Sequence, residues 1–144
     1  MAGRNSKWSD ISQYARPQLS PGFVLWRDFM RWKKGLNAAL RPHGLTQPQF
    51  AVLAVIGWMT RDDEPVTQQD VVDFLGLDRM HISQIASRLE ADGKITRHSA
   101  AQDKRAKYLG LTVQGGRLLV QAMPVVEAYD LAFFAAQEKE GGTP

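Results

Sequence analysis

The fold is decided by the stretch VTQQDVVDFLGLDRMHISQIASRLEADGKITR, which occupies residues 66–97. Two short helical patterns lie within it, and only Gly76 and the residue after it separate them. This spacing is typical of a helix-turn-helix. Thr67 and Asp70 predict a capping box at the first helix, although Asp replaces the usual Glu or Gln, and Asp78 predicts an N-cap for the second.

The second helix has one apolar face and one polar face. The apolar residues recur at helical spacing and are Ile82, Ile85, Ala86 and Leu89. The polar face contains no acid and consists of Met80, His81, Gln84, Ser87 and Arg88. The acids Glu90 and Asp92 come only at the C-terminal end. A helix that approaches phosphate groups is expected to have this arrangement.

A basic β-hairpin is predicted after the helix pair, with arms at 95–99 and 107–111. Residues 94–117 hold six Lys or Arg and one acid, whereas residues 46–93 hold three Lys or Arg and eight acids. Charge alone favours a merely solvated hairpin. Its position beside the helix pair is what favours a polyanionic partner such as DNA.

Flanking helices complete a single domain. One helix is predicted over 21–41, and a second begins after the capping box formed by Thr46 and Gln49. A last helix is predicted over 113–137, with a kink at Pro124. We expect residues 1–20 to form an N-terminal extension, residues 21–137 the domain, and residues 138–144 a flexible tail.

Composition excludes several classes of protein. A chain of 144 residues with 44% hydrophobic residues can bury a core, and the absence of cysteine excludes disulfides and cysteine-ligated zinc. The histidines lie in separate segments without metal-ligand spacing. Neither a glycine-rich phosphate loop nor a catalytic constellation is present, so we predict no enzyme, metal or cofactor. Without a signal peptide or an apolar run of about 18 residues, the sequence predicts a cytoplasmic protein with no membrane span.

Three motifs in this order resemble the MarR (multiple antibiotic resistance regulator) family. They are LTxxQFxVL at 45–53, LExxGxIxR at 89–97 and DKRx5LTxxG at 103–115. The resemblance covers roughly residues 21–135. It implies a mainly α fold with a small β-wing, namely a winged helix-turn-helix with N- and C-terminal dimerisation helices at 21–41 and 113–137.

The function that the resemblance implies is transcription regulation by a homodimer. Such a dimer binds a pseudo-palindromic double-stranded operator, and a repressor of this kind is relieved by a small aromatic or apolar ligand. Helix 78–92 would enter the major groove and wing 99–106 the minor groove. A winged-helix module that contacts proteins and not DNA is the alternative, because a fold does not settle function.

Several candidate residues follow from these positions and from side-chain chemistry. The DNA-binding candidates are Thr67, Gln68, Arg79, Met80, His81, Ser83, Gln84, Arg88, Lys104, Arg105 and Lys107. Gln84 can bond adenine, and Arg105 at the wing tip 102–107 is suited to a narrow minor groove. The resemblance implies that Asp103 braces the wing by pairing with arginine.

Simpler roles are open for four of these candidates. Arg105 and Asp103 alone would form a turn salt bridge, and His81 alone would be a surface histidine. Met80 would pack in the turn between the helices. Arg88 would pair with a nearby acid such as Glu90 or Asp92.

The chain departs from the family pattern in two ways. Gln84 replaces the usual Arg or Lys, and Met80 and His81 replace small hydroxyl residues. The chain also ends soon after Phe134, so we expect the dimer to depend on the first helix, the N-terminal segment and the last helix.

A ligand pocket is a further hypothesis that the aromatic residues suggest. Its candidate lining is Trp26, Met30, Phe50 and Trp58, together with the last helix. Ordinary core packing is the alternative for each of these side chains.

Overall fold

Residues 6–99, 101–103 and 105–141 are described by a computed structural model of the chain. They belong to two compact units, the first ending at Gly35 and the second beginning at Leu36. The boundary falls inside helix α2, which spans Pro21–Leu40.

The first unit contains helix α1 (Trp8–Ile11), a 3-10 turn (Pro17–Leu19) and most of α2. The indole N–H of Trp8 donates to the carbonyl of Tyr14 at 2.8 Å and closes the segment after α1. Pro21 is the first residue of α2, as predicted, because a proline there sacrifices no helical hydrogen bond. Large apolar side chains of α2 remain exposed in this unit, and they are Phe23, Leu25, Trp26, Phe29 and Met30.

Helix α3 (Gln47–Met59) is the central helix of the second unit. Its predicted capping box is confirmed: Thr46 Oγ1 accepts from the Gln49 amide at 3.3 Å, and Gln49 Oε1 accepts from the Thr46 amide at 3.1 Å. The buried residues of α3 are Phe50, Val52, Leu53, Val55 and Ile56. These side chains form the core on which the neighbouring helices and strands pack.

The helix-turn-helix consists of α4 (Gln68–Leu75) and α5 (Arg79–Ala91). Thr67 and Asp70 form the predicted capping box of α4. Gly76 follows α4 with φ +71°, a left-handed conformation that glycine adopts without strain. The predicted apolar face of α5 is confirmed, since Ile82, Ile85, Ala86 and Leu89 are all buried.

The sheet has one strand more than the sequence predicts. Strands β2 (Ile95–Ser99) and β3 (Lys107–Leu111) form the predicted hairpin, and β1 (Val66–Thr67) pairs antiparallel with the other side of β3. The local sequence carries no signal for β1, because two residues are too few to show strand alternation. β1 connects the wing directly to the N-terminus of α4.

Helix α6 spans Val113–Gly141, four residues beyond its predicted end at 137. Residues 138–141 are therefore helical where the sequence predicts the start of a flexible tail, and the rest of that tail lies outside the described residues. Pro124 lies within α6, and its kink stays a prediction.

The segment Val113–Glu140 is long and apolar enough to cross a membrane. Within its most apolar stretch of 18 residues, 17% is buried. The sequence predicts no span, because charged residues such as Glu127 and Asp130 interrupt the apolar runs.

Burial raises the pKa of the Tyr129 phenol in this helix, and the Asp130 carboxylate raises it further.

A compact joint connects α5, the wing and α6. Thr112 Oγ1 donates to the Gly93 carbonyl at 2.7 Å and accepts from the Gly115 amide at 2.9 Å, as expected of the N-cap of α6. The Thr112 amide donates to the Lys94 carbonyl at 3.1 Å. Gly115 lies so close that a Cβ built on it would be 1.9 Å from the Lys94 carbonyl oxygen. Only glycine fits this position without a backbone shift.

Gly115→Ala should therefore lower the free energy of unfolding by about 2 kcal/mol or more, because backbone atoms must move to admit the methyl group. Gly116→Ala is the matched control, since a Cβ there has no atom of the described residues within 4 Å. Its higher helix propensity should raise stability by up to about 1 kcal/mol. Urea denaturation followed by circular dichroism measures both. Equal stabilities for the two variants would contradict the close contact.

Candidate nucleic-acid interface

A cleft of about 490 Å³ lies between the helix-turn-helix and the tip of the wing. It brings together residues that are far apart in sequence, and its lining consists of Thr67, Gln68, Gln69, Val72, Arg79, Asp103, Arg105, Ala106 and Lys107. Five of the predicted DNA-binding residues and the predicted bracing residue Asp103 are among them. The structure thus places the start of α4, the start of α5 and the wing around one opening.

The N-terminus of α4 forms one wall of this cleft. Thr67 Oγ1 accepts from the Asp70 amide at 3.1 Å and so engages one of the amides that a helix N-terminus leaves without an intrahelical partner. Those amides and the helix dipole attract anions. Gln68 is half-buried there, and its buried Oε1 has no hydrogen-bond partner among the described residues.

Arg79 is held across the helix-turn-helix by Gln69, a residue that the sequence argument did not single out. The Arg79 Nε donates to Gln69 Oε1 at 2.8 Å, and Gln69 Nε2 donates to Asp73 Oδ1 at 2.8 Å. These hydrogen bonds use Nε of Arg79, and neither terminal amino group of Arg79 bonds to another residue in the described part of the structure. The signal was missed because Gln69 and Arg79 lie ten residues apart in different helices.

Asp103 shapes the wing tip through the backbone. Its Oδ1 accepts from the Arg105 amide at 2.9 Å, and its carbonyl accepts from the Ala106 amide at 3.2 Å. The resemblance implies pairing with an arginine side chain, whereas the observed contact is with the amide of Arg105. At the last residue pair of the hairpin before the tip, Lys107 Nζ donates to Ser99 Oγ at 3.4 Å. The predicted contact residue Lys104 lies outside the described residues.

Helix α5 presents its polar face to solvent. Met80 is 73% exposed, so the alternative that it packs within the turn is wrong. Gln84 is exposed as well, whereas His81 and Ser83 are half-buried. The Asp78 carboxylate accepts from the His81 amide at 2.7 Å and caps the helix, as predicted.

Arg88 forms an ion pair with Asp92 at 3.1 Å, four residues along α5. The alternative that it pairs with a nearby acid is therefore confirmed. Both side chains are substantially exposed, and a pair of this kind contributes little to stability. Such a weak pair leaves Arg88 able to contact a phosphate instead.

The four residues proposed to line a ligand pocket have different surroundings. Phe50 is only 8% exposed within the core of the second unit, which agrees with the ordinary-core alternative. Trp58 is 59% exposed, and the Arg61 guanidinium lies 3.5 Å from its ring centroid. In the first unit Trp26 and Met30 are 62% and 44% exposed. The pocket stays a prediction.

Together, the helix pair, the three-stranded wing and the long α6 define a winged helix-turn-helix protein. A model of the MarR family matches residues 43–106. The HTH-type transcriptional regulator YdcH of Bacillus subtilis is 38% identical over 129 residues, which are 90% of this chain and 88% of the relative. This chain belongs to the MarR family.

Solved structures agree with this assignment. CouR from Rhodococcus jostii RHA1 was solved bound to p-coumaroyl-CoA. It is 28% identical to this chain with a TM-score of 0.72, and the match covers 84% of this chain and 82% of CouR. MepR of S. aureus, solved in complex with DNA, has a TM-score of 0.75 at 21% identity, covering 85% and 90% of the two chains. At that identity the likeness to MepR concerns the fold.

The Asp78 cap yields a stability prediction for α5. Asp78→Ala removes the acceptor for the His81 amide and should lower the free energy of unfolding by about 1 kcal/mol. Asp78→Asn keeps an equivalent acceptor. Its free energy of unfolding should therefore differ from that of the unaltered chain by only about a few tenths of 1 kcal/mol. Chemical denaturation of the three proteins decides this, and an equal loss in both variants would exclude capping as the cause.

Proposed function

We propose that the protein is a sequence-specific DNA-binding transcriptional regulator that acts as a homodimer in the cytoplasm. The observation that carries this proposal is the cleft that places Arg79, Arg105 and Lys107 beside the N-terminus of α4. Three cationic side chains and a helix N-terminus around one opening suit phosphate oxygens. The acid-free face of α5 adjoins them and provides the surface that reads bases.

Helix α5 occupies the major groove in this proposal. The side chains at its N-terminal half that would meet base edges are Arg79, Met80, His81, Ser83 and Gln84. Gln84 is exposed, and its amide can donate to and accept from one adenine at the same time. The exposed Met80 thioether suits the methyl group of thymine. Asp78 stays engaged with the backbone at the helix start.

The wing occupies the minor groove and positions the protein on the DNA backbone. Arg105 at the tip is suited to a narrow groove, where the negative potential of the phosphates is concentrated. Lys107, Thr67 and Gln68 line the same cleft and would contact the sugar-phosphate backbone. Such contacts fix orientation and supply affinity without specifying sequence.

A second copy of the chain would cover the exposed apolar residues. On α6, Val120, Leu131 and Phe134 are 75%, 77% and 50% exposed. The apolar residues of α2 in the first unit are exposed as well. Burial of such surface stabilises a dimer by roughly 25 cal/mol per Å² of apolar area removed from water. Two copies related by a two-fold axis would match a pseudo-palindromic operator.

We propose repression relieved by a small aromatic or apolar ligand as the mode of regulation. CouR, a structural neighbour of this chain, was solved with p-coumaroyl-CoA, which joins an aromatic acid to a phosphorylated carrier. A ligand can act only if it binds the DNA-competent arrangement and the alternative arrangement with different affinity. The exposed aromatic or apolar candidates for ligand contact are Trp26 and Met30 in the first unit and Trp58 in the second, each taken by itself.

Arg105→Ala should weaken binding to every DNA sequence by a similar factor, because the wing contacts the backbone. The slope of log affinity against log salt concentration should fall by about one. Arg61→Ala is a control of equal charge change, since Arg61 contacts Trp58 and Asp62 and is not among the described residues that line the cleft at the wing tip. Fluorescence anisotropy at several salt concentrations measures both variants. An unchanged slope for Arg105→Ala would exclude its role.

Gln84→Ala should relax the preference for one base pair in each half-site, with a cost of roughly 1–3 kcal/mol at that position. Selection of bound sequences from a random double-stranded pool compares the two preferences directly. If the wild-type chain and Gln84→Ala select the same bases, Gln84 does not read the DNA.

A further inference from the structure

Arg97 on β2 joins the wing to α5. One terminal amino group of its guanidinium, Nη2, donates to Ser87 Oγ at 2.9 Å and to Glu90 Oε1 at 3.4 Å. Its side chain is 19% exposed. We propose that Arg97 is a positioning residue for DNA binding, which holds the wing at a fixed place relative to α5. This inference rests on the function proposed above.

The sheet register shows why this contact is placed to control the wing. Arg97 is opposite Leu109, and Leu109 is opposite Val66 on the other side. Val66 and Leu109 are 3% and 4% exposed, so this row lies on the buried face of the sheet. The next row belongs to the other face, where His98 stacks on Tyr108 with centroids 6.2 Å apart.

Arg97 is an inward-facing residue of β2 whose side chain bonds to α5 in the second unit. Two residues further on, Ser99 is exposed and bonds only to Lys107 across the hairpin among the described residues. β2 is also an edge strand, because the strand order is β1-β3-β2. The tip that carries Arg105 therefore extends beyond Arg97, and a small rotation at Arg97 becomes a larger displacement at the tip.

The partners of Arg97 lie C-terminal to residues 79–84, the part of α5 that would meet base edges. Ser87 and Glu90 are three residues apart, one turn along α5, and both belong to its C-terminal half. Nη2 carries two N–H groups whose directions are fixed in the guanidinium plane, one for each acceptor. The N–H groups of a lysine amine rotate freely and are not fixed in this way. Ser87, on the acid-free face, has its hydroxyl engaged by Arg97. Arg97 thus acts through the geometry of the two DNA-contacting elements.

A direct phosphate contact by Arg97 is the competing explanation, and a double-mutant cycle distinguishes the two. The DNA probe is the sequence that the wild-type full chain selects from a random double-stranded pool. Affinities are measured for Arg97→Ala, Arg105→Ala, the double variant and Arg97→Lys, each corrected for the folded fraction. Arg61→Ala again serves as the control of equal charge change.

If Arg97 positions the wing, Arg97→Ala should weaken binding roughly tenfold, the scale expected when a charge-assisted hydrogen bond is lost. Arg105→Ala should then cost much less in the Arg97→Ala background than in the wild type. Arg97→Lys should also weaken binding, although it keeps the charge. Fully independent losses for Arg97→Ala and Arg105→Ala, or wild-type affinity for Arg97→Lys, would overturn the proposal.

Amide hydrogen exchange without DNA provides a readout that does not depend on the proposed function. Arg97→Ala should accelerate exchange in β3 near Lys107, while amides in the core of α3 keep their protection. If the wild-type chain selects no DNA, the proposed function fails, and this measurement still decides whether Arg97 holds the wing. Unchanged protection of β3 would overturn the positioning role.

Discussion

The close contact between Gly115 and the Lys94 carbonyl is the constraint on which the rest of the structure depends. It lets the first turn of α6 lie directly against the turn that follows α5, where Thr112 bonds to both Gly93 and Lys94. The same few residues therefore lie at the end of α5, at the start of the wing and at the start of α6. Any displacement of α6 at this joint must also move the elements proposed to contact DNA.

A second set of contacts fixes the orientation of those elements. β1 joins the wing to the start of α4, Gln69 joins α4 to Arg79, and Arg97 joins the wing to α5. Each is a polar or backbone contact at the surface of an apolar core formed by α3 and α5. Since hydrophobic burial is not directional, these hydrogen bonds are what specify the angles between the elements. The cleft beside Arg105 results from that geometry.

Much of this architecture could be predicted from local sequence. Thr46, Thr67, Asp78 and Thr112 mark helix starts because a capping side chain bonds to an amide within its own turn. The hairpin arms were predicted at their observed bounds. Gly76 could be assigned because a left-handed turn favours glycine.

The remaining features depend on contacts between distant residues and leave no local signal. β1 has only two residues, and its pairing with β3 depends on a partner more than forty positions away. Gln69 resembles an ordinary polar surface residue until the fold brings Arg79 close. Arg97 belongs to the motif at 89–97, but the motif does not show that it bonds to Ser87. The Phe50 side chain illustrates the opposite case, since an aromatic residue proposed for a ligand pocket is part of the buried core.

Dimethyl sulfate footprinting on the selected DNA tests the central claim most directly, since it probes guanine N7 in the major groove and adenine N3 in the minor groove. Two copies of the helix-turn-helix and wing, related by a two-fold axis, predict two protected half-sites in the major groove. Their centres should lie about 10 base pairs, or a multiple of that, apart. Each should have protected minor-groove adenines beside it, where the wing lies. A single protected patch without two-fold symmetry, or no major-groove protection, would contradict this account.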